Sequence, residues 1–333
     1  MSKNKTLGLL IGRFSPLHAG HRDLIRQAKQ NCDILLILIG SADTARNIKT
    51  PFTYQEREKA IHEFLDFENI SHVMVRPIND YKYADNTWIG VVNDIVTKMS
   101  KNNGCDSITL FGHNKKDTDY LSWFPQYRFM NIDAKYEVCS TDIREAWFKN
   151  LPQKFEKSVV DDWNYFQKEK KLFENYPFPD TLSFSCGDAI LECAGHILLI
   201  QRGQAPGAGT WALPGGFKNR NETFFDCAIR ELIEETNVRV PEKVLRGSVV
   251  GSKLFDSPTR GNGIPRVTMC VHIKIQPDAD GKLPRANGSD DAADAKWVPL
   301  QDVMNSYQLY DDHKSIISVM TKIMPLPAHI AFQ

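Results

Sequence analysis

The first half of the chain alternates short apolar runs with amphipathic stretches. Thr6–Gly12 (TLGLLIG), Asp33–Gly40 (DILLILIG), Ser71–Pro77 (SHVMVRP) and Asp106–Gly112 (DSITLFG) have the length of strands, and three of them are apolar enough to be buried on both faces. Helical patterns fill the intervals at about His21–Asn31, Thr53–Phe67 and Trp88–Ser100. This alternation predicts a parallel sheet with helices on both faces. Sheets of that kind bind ligands beyond the carboxyl ends of their strands, so the residues directly after each strand are the first candidates for chemistry.

Pro152–Tyr176 is polar, aromatic-rich and mostly helical in pattern, and it ends at Tyr176-Pro177-Phe178-Pro179. Two prolines so close together mark a boundary, which predicts domains at 1–178 and 179–333. Beyond it the pattern changes. Strand-like runs at about Thr181–Cys193 and His196–Arg202 precede a Gly/Pro loop, a strong helix at Thr223–Thr236, and further strands near Arg246–Leu254 and Val267–Gln276. Gly281–Ala292 reads as an exposed loop. The expected fold class is therefore α/β: a Rossmann-like parallel-sheet domain followed by an α+β domain.

A length of 333 residues suits two domains rather than one core. Lys and Arg number 41 and so do Asp and Glu, so no global field draws nucleic acid or an anionic membrane, and phosphate must be recognised locally. The seven cysteines (Cys32, Cys105, Cys139, Cys186, Cys193, Cys227, Cys270) form no CxxC pair, which argues against a zinc site or disulfide framework and for a reducing compartment. The apolar run near the N-terminus is too short for a signal peptide. No stretch approaches the ~20 apolar residues of a membrane span. A soluble cytoplasmic protein is expected.

Directly after the first strand comes Gly12-Arg13-Phe14-Ser15-Pro16-Leu17-His18-Ala19-Gly20-His21. Glycine at the strand end lets backbone approach a phosphate chain, and a helix starting near Gly20 offers free N–H groups and a positive dipole end. His18 and His21 are spaced to serve one spot, where two imidazoles can donate to phosphoryl oxygens as charge builds. The segment resembles the HxGH signature of the nucleotidyltransferase superfamily. Cys139-Ser140-Thr141-Asp142-Ile143-Arg144 resembles that superfamily's ISSTxIR motif, in which Ser140 and Thr141 can cap a helix and Arg144 meets phosphate oxygens.

Three further stretches resemble archaeal-type nicotinamide-mononucleotide adenylyltransferases: Ser41…Arg46…Pro51-Phe52-Thr53, Asp80…Asp85-Asn86-Thr87-Trp88, and Gly112-His113-Asn114-Lys115-Lys116-Asp117. The resemblance implies that Arg46 contacts phosphate, that Trp88 stacks on the nicotinamide ring beside Asn86, and that Gly112 lies close to adenosine. Trp88 as a core residue of its helix is the competing reading, and either Lys115 or Lys116 could reach a phosphate. Gly12, Arg13 and Phe14 complete the substrate-binding candidates of this half. The implied reaction is NMN plus ATP giving NAD and pyrophosphate. The attacking phosphate is already anionic, so catalysis is positioning and neutralisation by His18, His21, Arg13, Arg144 and Mg²⁺.

In the second half, GFKNRNETFFDCAIRELIEETNV (216–238) places Gly216, Glu222, Arg230, Glu231, Leu232, Glu234, Glu235 and Val238 in register with the Nudix box; only the late glycine departs, as Asn237. Asn tolerates a left-handed C-cap, so the helix exit should survive. Glu231, Glu234 and Glu235 fall at i, i+3 and i+4 and so share one helical face. Carboxylates at that density suit Mg²⁺ or Mn²⁺. The resemblance to Nudix hydrolases implies Glu231, Glu234 and Glu235 as metal ligands, with Glu231 also a candidate base. It implies Glu222 and Arg230 as the pair that fixes loop to helix. Asp290 or Asp291 could add an acidic group.

Leu254-Phe255-Asp256-Ser257-Pro258-Thr259-Arg260 and Leu309-Tyr310-Asp311-Asp312-His313 resemble Nudix domains of NAD metabolism. Arg202, Phe255 and Arg260 are the substrate-binding candidates of this half. The resemblances together imply a bifunctional enzyme with Mg²⁺ or Mn²⁺ at both sites and ATP, NMN, NAD and ADP-ribose as ligands. They imply no nucleic acid or membrane partner and leave open a homodimer through the Nudix domain. The alternatives are a second half that only senses ADP-ribose or NAD, and a different adenylyl acceptor such as phosphopantetheine.

Overall fold

The computed structural model describes residues 5–113, 119–136 and 138–325. These form two compact units, the first ending at Phe155 and the second beginning at Glu156.

The first unit opens with β1 (Thr6–Gly12), α1 (Ala19–Gln30), β2 (Ile34–Ile39), α2 (Tyr54–Phe67), β3 (Val73–Pro77), α3 (Asp85–Asn102) and β4 (Ser107–Gly112), and continues with β5 (Arg128–Asn131) and α4 (Ser140–Asn150). The sheet is wholly parallel, in the order β3-β2-β1-β4-β5. Every residue of β2, Ile-Leu-Leu-Ile-Leu-Ile, is buried, because alternate side chains enter the two cores on opposite faces of the sheet. The expected strands and helices are in place with ends shifted by a few residues. α2 starts at a capping box, where Thr53 Oγ1 accepts from Glu56 N–H and the Glu56 carboxylate accepts from Thr53 N–H. Chain order reverses between β1 and β4, so the crevice at their carboxyl ends is the place for a ligand.

The second unit starts with α5 (Lys157–Leu172), followed by β6 (Phe184–Cys193), β7 (His196–Arg202), β8 (Trp211–Ala212), β9 (Gly215–Phe217) and α6 (Phe224–Thr236). It ends with α7 (Glu242–Gly247), β10 (Val249–Phe255), β11 (Arg266–Ile275), β12 (Ala292–Pro299), α8 (Leu300–Ser306) and α9 (His313–Thr321). Its mixed sheet runs β10-β11-β6-β7-β12, with β8 on β7 and β9 on β6. α6 lays Ala228, Ile229 and Leu232 on the sheet, fully buried.

α5 packs with this second unit, so the division falls near 155 rather than at 178. Asp162 accepts from Gly207 N–H (2.8 Å), and Glu169 accepts from Ile264 N–H (2.8 Å) and pairs with Arg266 (2.5 Å). The prolines after Tyr176 bend the chain between α5 and β6 without separating them into different units.

Gly187 in β6 is where the helix meets the sheet. A Cβ there would lie 2.8 Å from Ala228 N and 2.9 Å from Phe224 O, both main-chain atoms of α6. Gly187→Ala therefore forces the helix away from the sheet and is expected to cost about 1–3 kcal/mol. Gly247→Ala, with open space around the new methyl, serves as control. Thermal melting should show several degrees lost in the first variant only; equal melting of both would contradict this packing.

Candidate functional sites

In the first unit, the loop after β1 folds back over the carboxyl ends of the strands. His18 is the N-cap of α1, and its Nδ1 accepts from His21 N–H at 3.4 Å. The two imidazoles stack with centroids 3.8 Å apart and planes at 25°. Phe14 packs on His21 at 4.9 Å and is buried; its φ is +50°. Gly20 lies beside this pair, where a Cβ would come to 3.1 Å from the His18 ring, which would have to give by a few tenths of an ångström. Two imidazoles in contact at a helix start make a local donor site for anionic oxygen.

Arg144 comes to the same loop from α4. Its Nη1 donates to Ser15 O (2.7 Å) and its Nη2 to Thr141 Oγ1 (3.1 Å). Burial, with Arg13 nearby, pulls its guanidinium down to about 10, which still leaves it charged at neutral pH. The helix cap differs from expectation. Cys139 is the N-cap and Ser140 the first helical residue, and neither side chain makes the capping bond. The N–H of Thr141 instead turns toward the Cys139 thiol and lowers its pKa.

The remaining candidates of this unit are distributed around the crevice. Gly12 ends β1, Arg13 is exposed, and Gly112 ends β4 with Leu121 close to its α-carbon. Asn86 is exposed in the first turn of α3. Trp88, in the same turn, is partly buried and meets Trp123 edge-on (5.9 Å) and Phe124 (5.7 Å), so both its stacking and its core readings draw on the same aromatic cluster. Arg46 is bound at both ends of its guanidinium by Glu56 (2.7 and 2.9 Å) and also donates to Pro51 O, which neutralises much of the charge expected for phosphate. Lys115 and Lys116 lie outside the described residues.

Arg57 was not visible as a functional residue. It lies in the predicted helix Thr53–Phe67 between glutamates, where arginine usually faces water. It is instead buried and donates to four main-chain carbonyls: Thr53 (3.2 Å), Arg13 (2.8 Å), Gly40 (2.7 Å) and Ser41 (2.9 Å). These bonds tie the loops after β1 and β2 together. A cavity of about 720 Å³ is lined by Arg57, Phe14 and Leu17 among others.

In the second unit, the carboxylate face of α6 lines a cavity of about 470 Å³ together with Asp188, Arg202, Arg260, Tyr310 and both Asp290 and Asp291. Arg230 grips Glu222 through two bonds (2.7 and 2.9 Å) and reaches Glu231 (2.7 Å) and Glu234 (2.8 Å). The loop-to-helix bond expected for Glu222 and Arg230 is formed, and it holds Glu222 at about 2. Glu235 accepts from Gly215 N–H at 2.8 Å, and burial pushes its carboxyl up to about 8. Burial also raises Glu231, against the pull of Arg230. α6 leaves the sheet at Asn237 in the left-handed conformation, φ +43°.

Among the described residues no three metal-ligating side chains already converge on one point; Glu231 and Glu234 are both bonded to Arg230. The donor set nonetheless fits a hard divalent ion: the oxygens share one face, and the most buried carboxylate lacks a bonded cation. Gly216 leaves the room that Glu231 needs, since a Cβ there would sit 2.5 Å from Glu231 Oε1.

Two candidates are repositioned. Phe255 is fully buried at the end of β10 and does not line the cavity, because that position turns inward to the core. Arg260 lines it, but is buried between Asp188 and Asp312 at 3.2 Å each. Arg202 stacks on Tyr310 at 4.5 Å and donates to Pro206 O. Asp188 and His313 were overlooked as site residues. An aspartate inside the apolar run FSCGDAILEC was the available signal, since a buried carboxylate must be compensated.

Both units have known relatives. Residues 9–146 match a family model described as cytidylyltransferase-like, and residues 187–320 match the NUDIX domain. A nicotinamide/nicotinic acid mononucleotide adenylyltransferase of Acinetobacter baylyi is 29% identical over 180 residues, 52% of this chain and 94% of that one. A nicotinamide-nucleotide adenylyltransferase of Thermoplasma acidophilum is 33% identical over 44% of this chain and 72% of its own length. A crystal structure of a bifunctional NMN adenylyltransferase/ADP ribose pyrophosphatase from Francisella tularensis superposes with a TM-score of 0.87 at 30% identity, covering 96% of this chain and 99% of that one. A second Francisella structure, complexed with AMP and Mn ion, gives 0.86 at 28% identity, with the same coverage of each chain. The two units thus define a nucleotidyltransferase joined to a Nudix hydrolase. The chain belongs to the family of bifunctional NMN adenylyltransferase/ADP-ribose pyrophosphatases.

His313 yields a pH prediction. It is buried, its Nδ1 accepts from Leu213 N–H (2.9 Å), and burial lowers its pKa from the ordinary 6.5. The folded state then resists protonation that the unfolded chain accepts, so this contribution to stability is full above about 6.5 and is lost as pH falls below it. His313→Asn keeps an acceptor and removes the titration. Wild type should lose more stability than the variant between pH 7 and pH 5.5 in denaturant titrations; parallel losses would contradict a buried neutral imidazole.

Proposed function

We propose that the first unit transfers AMP from ATP to nicotinamide mononucleotide, giving NAD and pyrophosphate, and that the second hydrolyses ADP-ribose to AMP and ribose 5-phosphate. The observation that carries the reading is a stacked His18–His21 pair at the start of α1 with a buried Arg144 from α4 bonded to the preceding loop, and a glutamate face on α6 in the other unit.

In the first unit the mononucleotide's 5′-phosphate attacks the α-phosphorus of ATP, and pyrophosphate leaves. His18 and His21 donate to the phosphoryl oxygens, while Arg13 and Arg144 offset their charge. Ser140, Thr141 and Gly12 offer main-chain approach to the phosphates. Trp88 and Asn86 receive the nicotinamide end, Gly112 lies by the adenosine, and Arg46 reaches phosphate if Glu56 releases it.

In the second unit Glu231, Glu234 and Glu235 would hold Mg²⁺ or Mn²⁺, which when bound would supply charge neutralisation for the diphosphate and activation of water. Glu231, raised by burial, is the candidate to take the proton of the attacking water. Arg202 and Arg260 flank the substrate. Among the described residues no helix is long and apolar enough to cross a membrane, and the chain is proposed to work in the cytoplasm with Mg²⁺ as its physiological cation.

Two sites imply separable losses. His21→Ala should reduce NAD formation at least a hundredfold and leave AMP release from ADP-ribose intact, while Glu234→Gln should do the reverse, each read by chromatography of products. Loss of both activities from either folded variant would overturn the two-site reading. No AMP from wild type, with ADP-ribose still binding, would make the second unit a sensor. Trp88→Ala should raise the KM for NMN more than that for ATP; equal rises would place Trp88 in the core alone.

A further inference from the structure

α5 lies before the stretch that matches the NUDIX domain, which begins at residue 187, yet its inward face is built into the pyrophosphatase cavity. Asp162 holds Gly207 N–H in the loop after β7, and Glu169 holds Ile264 N–H just before β11 and Arg266 at its start. Gly263 is tied to the same face: a side chain there would collide with the Glu169 carboxylate and the Phe166 ring. Loops from two sides of the cavity therefore take their positions from this helix.

Between those anchors, Tyr165 reaches the cavity itself. It lines the 470 Å³ space that holds the glutamate face, and it also lines a neighbouring space of about 600 Å³. Phe217, next to Gly216, is the second residue shared by both walls and is half exposed. The neighbouring space is walled by the aromatic rings of Phe173 and Phe184 and by Leu172, which is 80% exposed. Arg266, which also lines the first space, lies over the rings of Phe184 and Phe217 at 5.6 and 5.8 Å. The first space thus carries the carboxylates and arginines that suit a diphosphate, and the second carries aromatic and apolar faces together with Lys168, Glu169 and Lys218. A nucleoside diphosphate derivative has the same division of chemistry, with a charged linkage and a flat base at one end.

We infer that Tyr165, with Phe217, forms the platform on which the base of the nucleoside diphosphate stacks, so that a helix outside the Nudix fold sets recognition of the nucleotide end. This rests on reading the second unit as a nucleoside diphosphate hydrolase. Stacking of a base on an aromatic ring is tolerant of base identity, so the platform supplies affinity for any base in preference to a bare sugar phosphate.

The test uses the full chain and steady-state kinetics of Tyr165→Ala and Tyr165→Phe. The alanine variant should raise the KM for ADP-ribose about ten- to a hundredfold with kcat within about threefold, and weaken competitive inhibition by AMP in parallel. Inhibition by ribose 5-phosphate should not change, and Tyr165→Phe should restore wild-type values. An unchanged KM, or equal loss of AMP and ribose 5-phosphate inhibition, overturns the platform. Tyr165 is partly exposed, and equal melting temperatures confirm that the variants are folded; if the alanine variant melts early, Phe217→Ala carries the same comparison. Should wild type cleave a different nucleoside diphosphate derivative instead of ADP-ribose, the ADP-ribose assignment fails, while the same KM comparison on that substrate still decides the platform.

Discussion

Arginines hold the loops of the first site and the carboxylates of the second, and most other features follow from how each arginine is compensated. Arg57 and Arg144 give up water for main-chain carbonyls at the carboxyl ends of β1 and β2. A guanidinium bonded only to neutral oxygens stays positive, so the same bonds that shape the loop leave positive charge beside the phosphate crevice. In the second unit the compensation is reversed. Arg230 is spent on Glu222, Glu231 and Glu234, and Arg260 on Asp188 and Asp312. That leaves Glu235 buried without a bonded cation and a cavity rich in oxygen donors. One unit is thus prepared for anions directly, and the other for anions through a divalent ion.

The arrangement also explains why glycine stands where it does. Gly20 and Gly216 each face a group that acts on substrate: a Cβ would crowd the His18 ring at 3.1 Å in one case and overlap the Glu231 carboxylate in the other. These are close approaches rather than turns. The cost of glycine's flexibility at both places is offset by the bonds around it, the N-cap of α1 and the Glu222–Arg230 pair.

Much of this was legible in the sequence because periodicity and fixed offsets report local structure well. β1 and β7 have the expected bounds, α6 carries the box in register, and Asn237 takes the left-handed exit. What could not be read depended on distant partners. β12 was hidden inside an acidic stretch, where a bulge between Ala292 and Asp294 breaks the alternation that marks a strand. The membership of α5 depends on carboxylates that reach main-chain amides 45 and 95 residues away. Phe255 looked like a ligand contact because of its neighbours in sequence, but strand direction turned it to the core. Arg57 carries no local mark that separates a buried arginine from a solvated one.

The central claim is that one chain carries out two phosphoryl reactions on opposite sides of NAD chemistry. The most direct measurement gives the purified wild-type chain NMN, ATP and Mg²⁺ in one reaction and ADP-ribose with Mg²⁺ in another, and resolves the products. NAD with pyrophosphate in the first, and AMP with ribose 5-phosphate in the second, at catalytic enzyme concentrations, is the predicted result. Product at no more than the amount of enzyme in either reaction would contradict the account.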